Sequence, residues 1–250
     1  MAMEINYKVI YSKKRKRSIL VKIEDDGTPI VYAPYRAKEA EIERFINSKR
    51  SWILKKSMLV KKCNENRFCF VSEKKILYMG KEYEFIVNES KLLKKDGFCE
   101  FCEGKLIVNI PESVFRINEG LSRKSREDVY KSCILQTIRN WYVDEANEKL
   151  IKKSKYYAGL HDFPVNNICA KEQKSIWGCC DSRNNIRYNW RIIMTDENLI
   201  NYLVVHELSH TVHKNHSKDF WRLVESIIPN HKDLRKQLRN MNYILRMEFR

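Results

Sequence analysis

No stretch of the chain approaches the roughly 20 consecutive apolar residues that a membrane-spanning helix requires, and the opening MAMEINYKVIY lacks the charged-then-apolar plan of a secretory signal. Internal repeats and low-complexity linkers are also missing, which argues against a solenoid or an extended array. A disulfide framework is not expected either. The setting implied is cytoplasmic, where the eight cysteines would be reduced thiols. Cys99 and Cys102 in CEFC lack the second close pair that a zinc ribbon needs, because Cys63 with Cys69 and the adjacent Cys179 and Cys180 are poorly spaced for it. The segment GFCEFCEGKLIVNIP reads more simply as a hairpin turning at Glu103 and Gly104.

What the chain does have is positive charge, +16 net at a pI near 9.4. Residues 1–62 hold 16 Lys and Arg against 7 Asp and Glu, and residues 214–250 hold 9 against 4. The centre is nearly neutral. Basic N- and C-terminal regions make nucleic acid a candidate partner, since clustered cations release counterions on binding phosphate. The alternative is a solvated surface. The run KKRKR, Lys13–Arg17, also fits a hairpin turn between two strands.

With 250 residues and 43% hydrophobic content, the chain can build one large core or two small ones. Alternation predicts strands over INYKVIY, SILVKIE and PIVYAP, separated by the basic run and by the turn-like DDGTP. Between Ala37 and Lys62, Ile42, Phe45, Ile46, Trp52, Ile53 and Leu59 recur at three- and four-residue spacing, which predicts an amphipathic helix. Strands follow in KILYMGKEYEFIV, turning at Gly80, and in the hairpin that closes at Pro111. A long helix is predicted from about Arg123 to Tyr157. It carries Val129, Cys133, Ile138, Trp141, Ala146 and Leu150 on one side, with Gly159 as its C-cap.

NNICAKE and NIRYNWRIIM return to strand. Asp196–His213 reads as a helix with an apolar stripe of Leu199, Leu203, Val204 and Leu208. Ser217 caps the next helix, which has Asp219 in its first turn and ends at Pro229. A basic amphipathic helix runs from His231 to about Arg246.

The string HELSHTVHKNH, His206–His216, concentrates four of six histidines in eleven residues. On a helix, His206 and His210 lie about 40° apart and one turn along, so both can present a nitrogen to one ion at about 2.0–2.1 Å. Glu207 sits about 100° round the axis, close enough to deprotonate a water held by that ion without being a ligand. This is the mechanical content of H-E-x-x-H.

A third ligand must come from elsewhere. His213 lies about 10.5 Å along the helix from His206, near the limit of two side chains. His216 becomes available if the chain turns back at Lys214 and Asn215, where Asn tolerates the left-handed conformation. The ligand set read from the residues is therefore His206, His210 and His216, with Glu225 as the runner-up and His213 in a supporting role. His161 and His231 are expected at the surface. Zinc is the expected ion, since imidazoles with an open water position suit it. Arg187, Tyr188 and Arg191 are candidates for oxyanion support, set against their reading as ordinary strand residues.

QKSIWGCCDSRNNIRYNWRIIM and YLVVHELSHTVHKNHSKDFW resemble the YgjP-like metallopeptidase family, with its QKSRWGSCS, GNIRLNWRL and VVHELCHL segments followed by HSxxFW. SKKRKRSILVKI, EIERFINSKRSWILKK, YMGKEYEF and RNWY extend the likeness over almost the whole chain. The resemblance implies an α+β protein: an N-terminal β-rich basic region with a helix over residues 1–120, then a zincin-type catalytic domain over 121–250 with an antiparallel sheet and an HExxH helix. It assigns His206, His210 and His216 as ligands and Glu207 as base, and relates the chain to WLM and SprT-like proteases that act on DNA-bound proteins. Ile176 and Cys179 depart from the Arg and Ser usual in the RWGS segment.

The function expected is zinc-dependent peptide hydrolysis, with substrates among nucleic-acid-associated proteins. A metal-dependent hydrolase of nucleotides or other phosphorylated compounds, or a nucleic-acid-binding protein with a structural metal, are the alternatives.

Overall fold

The computed structural model describes residues 5–13, 15, 17–24, 26–58, 60–61, 74–93, 96–116, 122–247 and 249. The chain divides into two compact units, residues 1–68 and 69–250. The expected boundary at residue 120 thus lies inside the second unit, because the strands before it pack on the long helix after it.

In the first unit, strands β1 (Lys8–Ser12), β2 (Leu20–Ile23) and β3 (Pro29–Pro34) form a sheet in the order β1-β3-β2. All three were expected, but the basic run is not a hairpin. β1 pairs parallel to β3 and β2 pairs antiparallel to it, so the segment holding the run carries the chain to the other side of β3. Lys14 and Lys16 lie outside the described residues. The DDGTP turn forms as read, with Gly27 at φ +84° and the Asp26 carboxylate accepting from the Thr28 N–H at 2.8 Å.

β3 alternates with period two, so Val31 and Ala33 face one core with Val21. The predicted single helix is two, α1 (Glu39–Ser48) and α2 (residues 50–58), which break at Lys49. Ile42, Ile46 and Ile53 join the core, whereas Trp52 is exposed and Leu59 lies outside the described residues.

The second unit opens with a sheet of β4 (Lys75–Tyr78), β5 (Lys81–Ser90), β6 (Phe98–Cys102) and β7 (Lys105–Pro111), in the order β4-β5-β7-β6. Both predicted turns are present: Met79–Gly80 and Glu103–Gly104 have positive φ at both residues, the conformation that matches strand twist in a two-residue hairpin. After a single turn, α3 (Ser113–Arg116), comes α4 (Arg123–His161). It runs past Gly159 and is capped instead by Asp162 in the left-handed conformation. Of its predicted stripe, Ile138, Trp141, Ala146 and Leu150 are buried and Val129 is exposed.

β8 (Asn167–Lys171), β9 (Gly178–Cys180) and β10 (Asn185–Asn189) form a second sheet in the order β8-β10-β9. It is mixed rather than antiparallel throughout, since β8 runs parallel to β10 and only β9 opposes it. The predicted strand over NIRYNWRIIM stops at Asn189. Trp190–Met194 form a buried 3-10 turn, begun by the Asn189 side chain accepting from Arg191 N–H.

This turn delivers the chain into α5 (Glu197–Val212), whose N-cap Asp196 accepts from Leu199 N–H at 3.1 Å. Leu199, Ile200, Leu203, Val204, Val205 and Leu208 are all nearly inaccessible. α5 is therefore a central helix, not one with a single apolar stripe. α6 (Lys218–Ile227) starts at its Ser217 cap as predicted, and α7 (His231–Asn240) is shorter than expected, followed by a 3-10 turn at Ile244–Arg246.

The four-stranded sheet is tied to this entry point. Met79 N–H donates to Ile193 O at 2.9 Å and Gly80 N–H to Met194 O at 3.2 Å. A Cβ on Gly80 would lie 3.0 Å from Asp196 Cα, and Gly80 has φ +77°. Gly80→Ala is expected to destabilise the fold by about 1–3 kcal/mol, from left-handed strain and the clash with the α5 cap. An unchanged midpoint in urea unfolding would show that the turn does not seat on Asp196.

Candidate active site

α5 carries His206 and His210 on one face, and the chain turns back after Val212 so that His216 reaches the same point. One ligand nitrogen from each of His206, His210 and His216 lies within 4.8 Å of the others. His206 Nε2 and His216 Nε2 are 3.2 Å apart. Two nitrogens bound about 2.05 Å from one ion at a tetrahedral angle would be separated by roughly 3.3 Å, so the spacing fits a shared metal.

His213 takes the supporting role through its backbone. His210 Nδ1 is 3.0 Å from the His213 carbonyl, which fixes the ring and leaves Nε2 free as a donor atom. His206 Nδ1, by contrast, is buried with no hydrogen-bond partner among the described residues.

The HSKDFW segment has a packing reason. With Ser217 capping α6, Phe220 comes to lie against all three imidazoles, at ring-centroid distances of 5.0 Å from His206, 4.4 Å from His210 and 4.9 Å from His216. Trp221 stacks on His216 at 5.4 Å. Three rings that would repel one another if protonated are thus held in an aromatic seat. Burial lowers the proton affinity of all three, and that of His206 falls to about 3. They remain neutral donors at physiological pH.

Glu207 is 4% exposed. Desolvation pushes its carboxyl up to about 8. Gly178 of β9 lies directly against it: a Cβ there would fall 2.7 Å from Glu207 Oε1 and 2.8 Å from Cγ. β9 is an edge strand. A pocket of about 200 Å³ opens over these groups, lined also by Trp177, Tyr202, Arg235, Arg239 and Asn242.

Other expected residues lie elsewhere. Arg187 pairs with Asp181 at 3.0 Å, Tyr188 is buried with its hydroxyl 2.9 Å from that of Ser154, and Arg191 is buried against Glu172 and the Met247 carbonyl. None of the three lines the pocket. Glu225 is outside the imidazole cluster and pairs with Lys232 at 3.4 Å. His161 is exposed as expected, but His231 is buried and stacks on Trp221. Cys99 and Cys102 join no metal-binding group among the described residues. Ile176 is exposed, and Cys179 sits on β9 with its sulfur 3.9 Å from Gln173 Oε1.

The sequence reading missed Gly178, Trp177, Tyr202, Arg235, Arg239 and Asn242 as pocket residues. Trp177 and Gly178 stood within the IWG motif, while the cations and Asn242 carried no local signal.

The family model for the YgjP-like metallopeptidase domain matches residues 17–241. The chain belongs to the YgjP-like metallopeptidase family. As a member it is a metal-dependent protease, acting on peptide or protein substrates. No curated relative matches the chain. The crystal structure of the metallopeptidase zymogen of Pyrococcus abyssi abylysin is 24% identical and covers 36% of this chain and 90% of its own, with a TM-score of 0.32. A score that low carries no argument about this YgjP-like chain.

The raised affinity of Glu207 for its proton has a sign that can be tested. Folded protein binds that proton more tightly than unfolded chain, so the metal-free protein loses stability as pH rises from the usual carboxylate range to about 8. The buried imidazoles act oppositely at lower pH and are common to parent and variant. Metal-free Glu207→Gln is therefore expected to be the more stable protein, by an amount that grows up to about pH 8 and then levels at a few kcal/mol. Urea unfolding in chelator across pH 5–9 checks it; a flat difference contradicts the burial argument.

Proposed function

We propose that this protein is a zinc-dependent peptidase in which His206, His210 and His216 hold the ion and Glu207 is the general base and acid. The observation that carries the proposal is three imidazoles converging on one point, with His206 and His216 lining a pocket beside the buried carboxyl of Glu207. Three nitrogen donors suit zinc with a position left for water. When bound, the ion supplies Lewis acidity, polarising a carbonyl and lowering the pKa of a water.

The protein's own groups do the rest. Glu207 accepts the proton from the attacking water and returns it to the leaving amine. Burial raises its proton affinity in the metal-free protein, and a dication bound beside it favours the carboxylate, the form that accepts a proton. The missing side chain at Gly178 leaves Glu207 room to turn between water and amine. Among the described strands β9 is at the edge of its sheet beside Glu207, so an extended peptide can add to the sheet and present its scissile bond there. Membership of a metallopeptidase family favours peptide over phosphate hydrolysis. Action on nucleic-acid-bound substrates is supported by the positive charge of residues 1–62 and 214–250, and a steep salt dependence of DNA binding is its test.

Metal analysis and peptide hydrolysis test the assignment together. Glu207→Gln is expected to keep its zinc and lose activity by about 10²–10⁴-fold. His216→Ala should lose zinc and Glu225→Ala should keep it; the reverse pattern would sink the ligand assignment. Gly178→Ala, which pushes Glu207 aside, should keep zinc and lose about 10²-fold in kcat.

A further inference from the structure

Beside the metal pocket, α6 and α7 enclose a second groove of about 540 Å³, within the range of about 300–1,000 Å³ typical of ligand sites. Six cations line it: Lys218, Arg222, Lys232, Arg235, Lys236 and Arg239. Arg235 and Arg239 also line the metal pocket, so the two concavities share a wall. Glu225 pairs with Lys232 and Asp219 with Arg222. Among the described residues, no carboxylate forms an ion pair with Lys218, Arg235, Lys236 or Arg239. Like charges gathered at this density repel one another, and an anionic ligand is what relieves them.

We infer that this groove is an acidic subsite, which binds Asp or Glu side chains of a peptide substrate, with Arg235 and Arg239 holding the carboxylate next to the scissile bond. This rests on the peptidase reading above. The position of the two arginines identifies the ligand: they face the same pocket as Glu207, so the anion they pair with belongs to the molecule whose bond is cut. A planar guanidinium can hold a carboxylate through two parallel hydrogen bonds.

Nucleic acid fits the groove less well. Single strands are held by stacking bases on aromatic faces, and Trp221, the aromatic of the groove apart from His231, is already engaged. It stacks on His216 and His231, and the Arg235 guanidinium lies 4.6 Å from its ring centroid.

The test uses zinc-loaded full-length protein and two labelled peptides, one with Glu on both sides of a central cleavable bond and one with Gln at the same positions. Binding is measured by anisotropy with Glu207→Gln, and cleavage with the parent. The acidic peptide is expected to bind about tenfold more tightly. Arg235→Gln and Arg239→Gln should each remove most of that preference at unchanged zinc content, and Arg239→Glu should shift it toward a Lys-containing peptide. Lys236→Gln, which spares the Trp221 stack, should reduce it too and keeps the test open if Arg235→Gln fails to fold.

Equal binding of the two peptides overturns the inference, even where both are cleaved and the peptidase reading stands. A single-stranded oligonucleotide that binds more tightly than the acidic peptide, and displaces it, overturns the inference as well. Tight, arginine-dependent binding of the acidic peptide with no cleavage of either supports the subsite and counts against the peptidase reading.

Discussion

The approach of Gly178 to Glu207 is the contact on which the site depends. A strand edge and a central helix meet so closely that a single Cβ would overlap the carboxyl, at 2.7 Å from Oε1. That proximity buries Glu207, and burial raises its proton affinity. It also places an open strand edge next to the carboxyl. One distance therefore fixes the acid–base behaviour and the path along which a peptide backbone can lie.

Much of the second unit holds that distance. β9 has only three residues, too few to set its own position, and the segment before it is pinned from several sides. Asn189 N–H donates to Trp177 O at 2.7 Å and the Asn189 side-chain amide donates to Gln173 O at 2.7 Å, while Trp177 Nε1–H donates to Asn242 at 2.8 Å. Glu172 accepts from Trp190 Nε1 at 2.9 Å and pairs with Arg191 and Arg139. Arg191 in turn donates to the Met247 carbonyl, at 2.8 Å from Nη2. Polar residues of the QKSIWG and NIRYNWR segments thus act as a brace. Their hydrogen bonds are buried or partly buried, where an unmade partner costs more than a made one contributes, so the segment has one satisfied arrangement.

The sequence disclosed the parts of this site governed by local spacing. H-E-x-x-H follows from helical geometry, His216 from the turn after it, and Ser217 from capping. The hairpins at Gly80 and Glu103–Gly104 are equally local. What escaped were features set by partners far away in the chain. Arg191 has a strand-like neighbourhood, yet its role comes from Glu172 and from Met247, 56 residues later. β1 and β2 alternate as hairpin strands do, but that both pair with β3, on opposite sides, rather than with each other is a matter of tertiary pairing. Lys49 interrupts one apolar periodicity with two helices whose faces both reach the same core, so the pattern alone reads as continuous. His231 carried no pattern at all, because its burial is against Trp221.

The electrostatics of the site have a single origin. Removal from water disfavours the charged form of every ionisable group, so it lifts the Glu207 carboxyl and depresses the three imidazoles together. All four groups are then predominantly neutral near pH 7, and the pocket has donors without protons beside an acid that keeps one. A dication favours the opposite state of the carboxyl while leaving the imidazoles deprotonated, since its attraction acts on the anion and competes only with protons the rings have already shed. A metal held by the three imidazoles would therefore be coupled to release of the Glu207 proton. The cation of Arg235, which lines the pocket, likewise opposes protonation of His206 and His216. A carboxylate paired with Arg235 would weaken that effect, linking occupancy of the groove to the proton affinity of these two imidazoles.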